Sequence, residues 1–183
     1  MRVLKPASLI LLALTIAACS TEPTSTPPAD TNGFNYGVQA FRIRPGMVVE
    51  IKERHLQTVN NFRLSQGLPE LQFSPQLASA AQRHAQDIFV QERAWHFGSD
   101  GSSPLDRAVQ AGFTGEVIGE NVSETYEDDQ VTLQAWLRDP NSRSIILDPD
   151  ARFIALEWHQ QQNAKIWWVQ LVGGAEPLDL PLN

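Results

Sequence analysis

Apolar side chains recur every three or four residues in the first half of the chain, and this spacing predicts helices. The first apolar stripe comprises Val48, Ile51, Val59 and Phe62. A proline precedes it and Gly67 follows it, so we expect a helix from Met47 to Gln66. His55 lies on or beside this stripe, a position that is typical of a hydrogen-bonded packing residue.

Two Ser-Pro pairs predict the next helix starts, because serine caps a helix and proline favours the first helical position. Ser74-Pro75 begins an alanine-rich helix that runs to about Gln91, and Ser103-Pro104 begins a short helix that ends at Gly112. We expect the following residues of these two helices to face inward: Leu77, Ala81, Ala85, Ile88, Leu105, Ala108 and Val109.

The second half of the chain predicts one more helix and a β-hairpin. The segment around Val117 and Ile118 is predicted to be a loop or a short extended stretch. Acidic residues 127–129 favour a helix N-terminus, and that helix should run through Trp136. Two β-like runs, "RFIALEWH" and "KIWWVQLVG", flank the polar stretch "QQQNA" and predict the hairpin. Helices followed by an antiparallel hairpin indicate an α+β layered domain.

Residues 1–18 read as a signal peptide, because Arg2 and Lys5 precede an apolar run that is too short to cross a bilayer. The sequence "IAAC", which ends at Cys19, resembles the lipobox of bacterial lipoproteins, in which the cysteine is lipidated. An ordinary cleaved signal peptide with an incidental cysteine is the alternative. Cys19 is the only cysteine in the chain, so an internal disulfide is excluded.

The residues after the signal peptide divide into a tether and a domain. Residues 19–33 are rich in proline, serine and threonine and predict a flexible tether. Residues 34–183 have the size of one domain. Ser20 is not the aspartate that retains lipoproteins in the inner membrane of many Gram-negative bacteria. We therefore expect anchoring to the outer membrane, on its periplasmic face, through acyl chains such as palmitate on Cys19.

The charge of the chain restricts its partners. The whole chain carries a formal net charge of −7, and loss of Arg2 and Lys5 with the signal peptide would leave −9. An acidic domain without a basic cluster is a poor binder of nucleic acid or of an anionic lipid surface. Membrane attachment would then depend on the acyl chains, and we expect a monomer with no nucleic-acid partner.

Candidate chemistry begins at His96, which lies against the glycine- and serine-rich turn "GSDGSS". Glu120 of the triplet "GEN" supplies a carboxylate in a similar glycine-flanked setting. These two side chains could belong to one site. The sequence does not contain the catalytic motifs "GxSxG" and "HExxH".

Four segments together resemble the bacterial branch of the CAP superfamily, which comprises cysteine-rich secretory proteins, antigen 5 and pathogenesis-related proteins (SCP-like domains). They are, in family order, "VNNFRLSQGLPELQFSPQLASAAQRHAQD", "HFGSDGSSPLDRAVQAGF", "IGENV" and "AWLRDPNSRSIIL". They cover most of the domain from about Val59 to Leu147. The resemblance implies a three-layer α-β-α sandwich, in agreement with the predicted helices and hairpin.

The resemblance also implies a cleft in which two histidines and two acidic residues converge and in some members hold a divalent metal such as zinc. His96, Glu120 and Asp139 match three of these positions. Ser142 stands where bacterial relatives usually have the fourth ligand, a histidine, and a hydroxyl is a poorer zinc ligand than imidazole. His159 could compensate if it points into the cleft, although a partly exposed strand histidine is the simpler interpretation.

The expected function is that of a lipid-anchored cell-envelope module that binds a ligand without turnover, through a partly degenerate cleft. A glycan, a lipid and a metal are the candidate ligands. One alternative is a hydrogen-bonded network of His96, Glu120 and Asp139 that only fixes the packing. A second is an envelope hydrolase that uses Glu120 and Asp139 with His96 on a glycan or peptide. His84 is expected in the core or beside the cleft.

Overall fold

A computed structural model describes residues 40–176 of the 183-residue chain. The predicted signal peptide, Cys19 and the tether lie outside the described residues, as do residues 34–39 and 177–183 of the predicted domain. Their assignments stay predictions.

Five α-helices occur in the described part: α1 (Val48–Ser65), α2 (Pro75–Val90), α3 (Pro104–Gln110), α4 (Asp129–Arg138) and α5 (Pro140–Ile146). The four predicted helices are α1 to α4, and each is confirmed close to its expected bounds. Both predicted serine caps are present, since Ser74 Oγ accepts from Leu77 N at 3.2 Å and Ser103 Oγ accepts from Asp106 N at 3.2 Å. The short helix α5 was not predicted.

Four strands form one sheet in the order β1-β3-β4-β2: β1 (Gln72–Phe73), β2 (Val117–Thr125), β3 (Ala151–Gln160) and β4 (Ile166–Gly174). β3 and β4 are the predicted antiparallel hairpin, β2 pairs antiparallel with β4, and β1 pairs parallel with β3. The segment around Val117 and Ile118, which we expected to be a loop or a short extended stretch, begins the nine-residue strand β2.

The sheet has a hydrophobic core on each face, because successive side chains of a strand point to opposite sides. On one face, α1, α4 and α5 pack on Ile154, Leu156 and Trp168. On the other face, α2 and α3 pack on Ala155, Trp167 and Val169. This arrangement is the expected α+β three-layer sandwich, and it assigns α2 and α3 to one outer layer and α1, α4 and α5 to the other.

The inward face of α3 differs from the expectation. Ala108 is fully buried, but Leu105 is 54% exposed and Val109 is 60% exposed. A helix of seven residues buries only one narrow stripe, and in α3 this stripe holds Arg107 beside Ala108. Within residues 40–176, the helices are too short or too polar to cross a bilayer.

Candidate functional site

The candidate site lies where the loop between α2 and α3 meets β2. His96 belongs to this loop, and Glu120 belongs to β2 on the face that carries α2 and α3. His96 Nδ1 lies 3.1 Å from Glu120 Oε1, so the predicted pairing of these two residues is present. The Glu120 side chain is fully buried, whereas the His96 side chain is 53% exposed. Because an ionised carboxylate only accepts, Nδ1 carries the shared proton, which in the neutral tautomer leaves the lone pair on Nε2.

Arg107 is the second partner of Glu120. Its Nη2 donates to Glu120 Oε2 at 2.8 Å, and both side chains are almost completely buried, at 5% and 0% exposure. The same guanidinium donates to two backbone carbonyls, those of Ser102 at 2.8 Å and of His96 at 3.1 Å. Arg107 therefore neutralises the buried carboxylate and also ties the His96 loop to α3 and β2.

His84 on α2 completes the polar cluster. Its Nε2 lies 2.9 Å from the carbonyl oxygen of Trp95 and 3.5 Å from Glu120 Oε1. A carbonyl only accepts, so Nε2 carries a proton and the lone pair is on Nδ1, which is buried without a hydrogen-bond partner in the described part of the chain. Burial lowers the pKa of His84 despite the nearby Glu120 carboxylate. The side chain is thus a neutral support of the cluster, in agreement with the expectation for it.

The neighbour of Glu120 on β2 points to the opposite face and joins a second polar chain. Asn121 Nδ2 donates to Gln170 Oε1 at 2.9 Å and to the carbonyl of Ser142 at 3.3 Å. Gln170 Nε2 in turn donates to His55 Nε2 at 2.7 Å, deep in the core. This chain connects β2 to β4, α1 and α5. It also confirms His55 as a hydrogen-bonded packing residue.

Each residue of the "GEN" triplet has a separate structural role. A Cβ at Gly119 would lie 2.8 Å from Ile145 of α5, so a side chain there would collide with the helix. Glu120 is held by His96 and Arg107 on one face, and Asn121 by Gln170 on the other. The triplet therefore joins both outer layers of the sandwich to the edge strand.

Asp139 does not join His96 and Glu120. It is the N-cap of α5, and its side chain accepts from Ser142 N at 2.8 Å, which lowers the pKa of the carboxyl group. α5 packs on the face of the sheet opposite the Glu120 side chain. The expected convergence of the three residues is therefore not present, because the alternation of β2 separates them. Ser142 contributes backbone atoms to both of its contacts.

The cluster is a poor fit for the metal that the resemblance implies. Both oxygens of Glu120 are engaged, one by a cationic guanidinium, and the lone pair of His84 is not on the nitrogen nearest to Glu120. Within residues 40–176, no group of three or more His, Cys, Asp or Glu side chains is arranged to hold a metal ion. A zinc ion on Glu120 would have to displace Arg107 or His96 and overcome the charge of the arginine.

The remaining candidate side chains lie apart from this cluster. His159 stacks on Phe89 of α2, with ring centroids 4.1 Å apart, and burial lowers its pKa. Trp167 and Trp168 are buried, as expected of core residues. Trp95 is half-buried, lies edge-to-face with the exposed Phe97 at 5.6 Å, and carries Arg93 over its ring at 4.0 Å. His96 is thus flanked in sequence by the exposed Phe97 and by the partly buried Trp95, whose ring carries Arg93.

Sequence reasoning missed Arg107, Asn121 and Gln170 as members of the site. Gln170 had a usable signal, since it is the one polar residue within the apolar run "IWWVQLVG", and a buried amide requires partners. Arg107 had no sequence signal that distinguishes it from a surface arginine on a short helix.

The sequence matches a known protein family and a bacterial relative. The family model "CAP: Cysteine-rich secretory protein family" matches residues 56–172. An uncharacterized membrane protein of Bacillus subtilis (strain 168), YlbC, is 23% identical over 138 residues, which are 68% of this chain and 40% of YlbC. The chain therefore spans less than half the length of that relative.

Solved structures share the fold at low sequence identity. An outer surface protein of Borrelia burgdorferi superposes with a TM-score of 0.65 at 17% identity, over 75% of this chain and all of the other. An extracellular protein of Bacillus anthracis that contains an SCP domain superposes with a TM-score of 0.60 at 20% identity, over 73% of this chain and 45% of the other. Because the family model matches more than half of the chain, including the sheet and helices from both outer layers, the chain belongs to the CAP, or cysteine-rich secretory protein, family.

Proposed function

We propose that this protein is a lipid-anchored module of the cell envelope that binds an envelope glycan through His96 without turning it over. The observation that carries the proposal is the state of Glu120, which is fully buried and held by Arg107 and His96. A carboxylate held in this way is not free to reach a scissile bond as an acid or base. The exposed imidazole remains as the recognition group of the site.

The surroundings of His96 support a glycan as the ligand class. Its side chain is 53% exposed, and in the neutral tautomer Nε2 is a hydrogen-bond acceptor. The exposed Phe97 follows it in sequence and lies edge-to-face with the partly buried Trp95. Polar groups that fix orientation next to apolar rings that exclude water are the usual composition of a small-ligand site. An envelope lipid is the other ligand class consistent with an exposed aromatic surface, so vesicles are a necessary arm of the test.

The membrane anchor in this proposal is the lipidated Cys19, with the domain held at the periplasmic face of the outer membrane. Two kinds of relatives support a location outside the cytoplasm: one is described as a membrane protein, and others as outer surface or extracellular proteins. A single acyl signal binds membranes weakly, so stable anchoring requires more than one chain on the cysteine.

The binding test uses the full-length chain with Cys19→Ala, in buffer without detergent, because acyl chains on Cys19 would themselves insert into vesicles. This protein is mixed with purified peptidoglycan sacculi and, separately, with phospholipid vesicles free of peptidoglycan, and the variants below are made in the same background. We expect sedimentation with the sacculi, and at least about a tenfold weaker association for His96→Ala, since loss of one well-placed hydrogen bond to a ligand costs about that much. Lys165→Ala, a change on the far hairpin, is the matched control. Equal sedimentation of His96→Ala and wild type would refute the site, and sedimentation with vesicles alone would assign a lipid instead.

A hydrolase is the second candidate, favoured by one observation. A carboxylate bonded to Nδ1 of a histidine is the arrangement that orients a general base, and Glu120 and His96 have it. In the described residues, however, no serine hydroxyl is hydrogen-bonded to His96, and Asp139 lies in the other layer. Release of soluble fragments from peptidoglycan, or cleavage of peptide or ester substrates, that both His96→Ala and Glu120→Gln abolish would establish the hydrolase.

A further inference from the structure

The Arg107 guanidinium occupies the position from which a cation can neutralise Glu120. It lies 2.8 Å from Glu120 Oε2 and is buried with it, so the pair is shielded from water and salt. A second cation at the same carboxylate would meet a fixed positive charge within a few ångströms, in a medium that screens charge poorly. One carboxylate cannot offer both its oxygens to a metal while it is bonded on both sides.

The same guanidinium also determines where His96 stands. Nη2 donates to the backbone carbonyl of His96, and Nη1 donates to that of Ser102, at the two ends of the turn that carries the imidazole. Gly98, inside this turn, has no room for a Cβ, which would collide with Asp100 Oδ1 and Ser102 Oγ. The turn is therefore compact, and Arg107 links it to the carboxylate that orients the His96 ring.

We propose that Arg107 is a permanent internal cation of the His96–Glu120 cluster, which takes the place of a divalent metal and positions His96 as a metal-free recognition group. The proposal concerns the cation and stands whether or not the ligand is a glycan. It predicts that removal of the arginine charge uncovers a metal site, because His96 and Glu120 are then left as an imidazole and a carboxylate at 3.1 Å.

The experiment measures zinc binding by isothermal titration calorimetry with the full-length protein in detergent. The wild type should bind no zinc that depends on His96. Arg107→Met, which keeps an unbranched, largely apolar side chain and removes the guanidinium and its charge, should bind zinc at least about tenfold more tightly than the wild type, within the range that neighbouring charges and hydrogen bonds impose on metal affinity. Arg107→Lys keeps a cation and should resemble the wild type. Arg107→Met combined with His96→Ala should lose the gain.

A second readout follows the wild-type protein during a zinc titration and does not require Arg107→Met to fold. The imidazole resonances of His96, assigned in the NMR spectrum by comparison with His96→Ala, should stay in place during a zinc titration. Zinc-dependent shifts of these resonances that Glu120→Gln abolishes would overturn the proposal, as would a folded Arg107→Met protein without any gain in zinc affinity. The zinc measurements do not depend on the result of the sacculus assay, so a failure of the proposed function and a failure of this proposal can be distinguished.

Discussion

Acidification should destabilise this domain through His55, which is completely buried at the far end of the Asn121–Gln170 chain. Its Nε2 accepts from Gln170 Nε2 at 2.7 Å, and that direction is fixed because Asn121 donates both to Gln170 Oε1 and to a carbonyl. A proton on Nε2 would turn the acceptor into a donor that faces another donor. Burial is the main cause that lowers the pKa of His55 to about 4, with Asp129 opposing it and Arg54 adding to it.

The expected loss in the free energy of unfolding follows from the difference in the pKa of His55 between the folded and unfolded chains. The unfolded chain takes up a proton near the ordinary pKa of 6.5, whereas the folded chain resists it until about 4. Stability from this group is therefore fully present above pH 6.5 and is lost as the pH falls from 6.5 toward 4. At about 1.4 kcal/mol for each pH unit of difference, the complete loss is about 3 kcal/mol, of which about 2 kcal/mol appears between pH 7 and pH 5.

The assay is urea unfolding at pH 7 and pH 5, followed by tryptophan fluorescence. His55→Gln is the matched variant, since its amide oxygen can accept from Gln170 and has no titratable group. We expect the wild type to lose about 2 kcal/mol more than His55→Gln between the two pH values. His84 also has a pKa lowered by burial, but it titrates in both proteins and cancels in the comparison. Equal losses in the two proteins would refute the buried neutral state of His55.

Other predictions test the anchor, the metal, the glycine and the helix cap. Cys19→Ala should move the protein from the membrane fraction to the soluble fraction, and wild-type recovery in membranes would contradict lipidation. Chelator should leave the melting temperature of the full chain unchanged, because we expect folding without metal; unfolding by chelator would make a metal structural. Gly119→Ala should destabilise by about 1–3 kcal/mol, since its Cβ would meet Ile145, and Ile145→Ala in the same chain should recover part of the loss. Asp139→Ala should lower the melting temperature through the lost cap but leave sacculus sedimentation unchanged.

Most of the fold was accessible from the sequence, because its signals are local. The Ser-Pro starts of α2 and α3 and the apolar stripe of α1 specify helices within a few residues. The short helix α5 begins with a signal of the same kind, since Asp139 is its N-cap and Pro140 its first residue, but the sequence analysis did not use it. The two-residue strand β1 carries no comparable signal, because it depends on pairing with a partner that is distant in sequence, as in the pairing of Gln72 with Phe153.

The candidate site was only partly accessible, because alternation along a strand requires the register. The proximity of His96 and Glu120 was predicted correctly. The inclusion of Asp139 failed since it required knowledge of which face of β2 carries the Glu120 side chain, and the irregularity between Val117 and Gly119 shifts that pattern. Arg107 was missed for a related reason: burial of a charged helix residue is decided by its partner on another element.

The adjacent burial of Glu120 and Asn121 has a consequence for how the edge strand finds its pairing. An edge strand can slide along its neighbour, and a slip of one residue exchanges its two faces. Such a slip in β2 would carry the carboxylate into the layer of His55 and leave Arg107 facing an amide or an apolar group. Each of these buried groups would then lack its partner, at a cost of several kcal/mol. Two neighbouring polar residues whose partners lie on opposite faces of the sheet therefore favour the observed register over every odd-numbered shift of the strand.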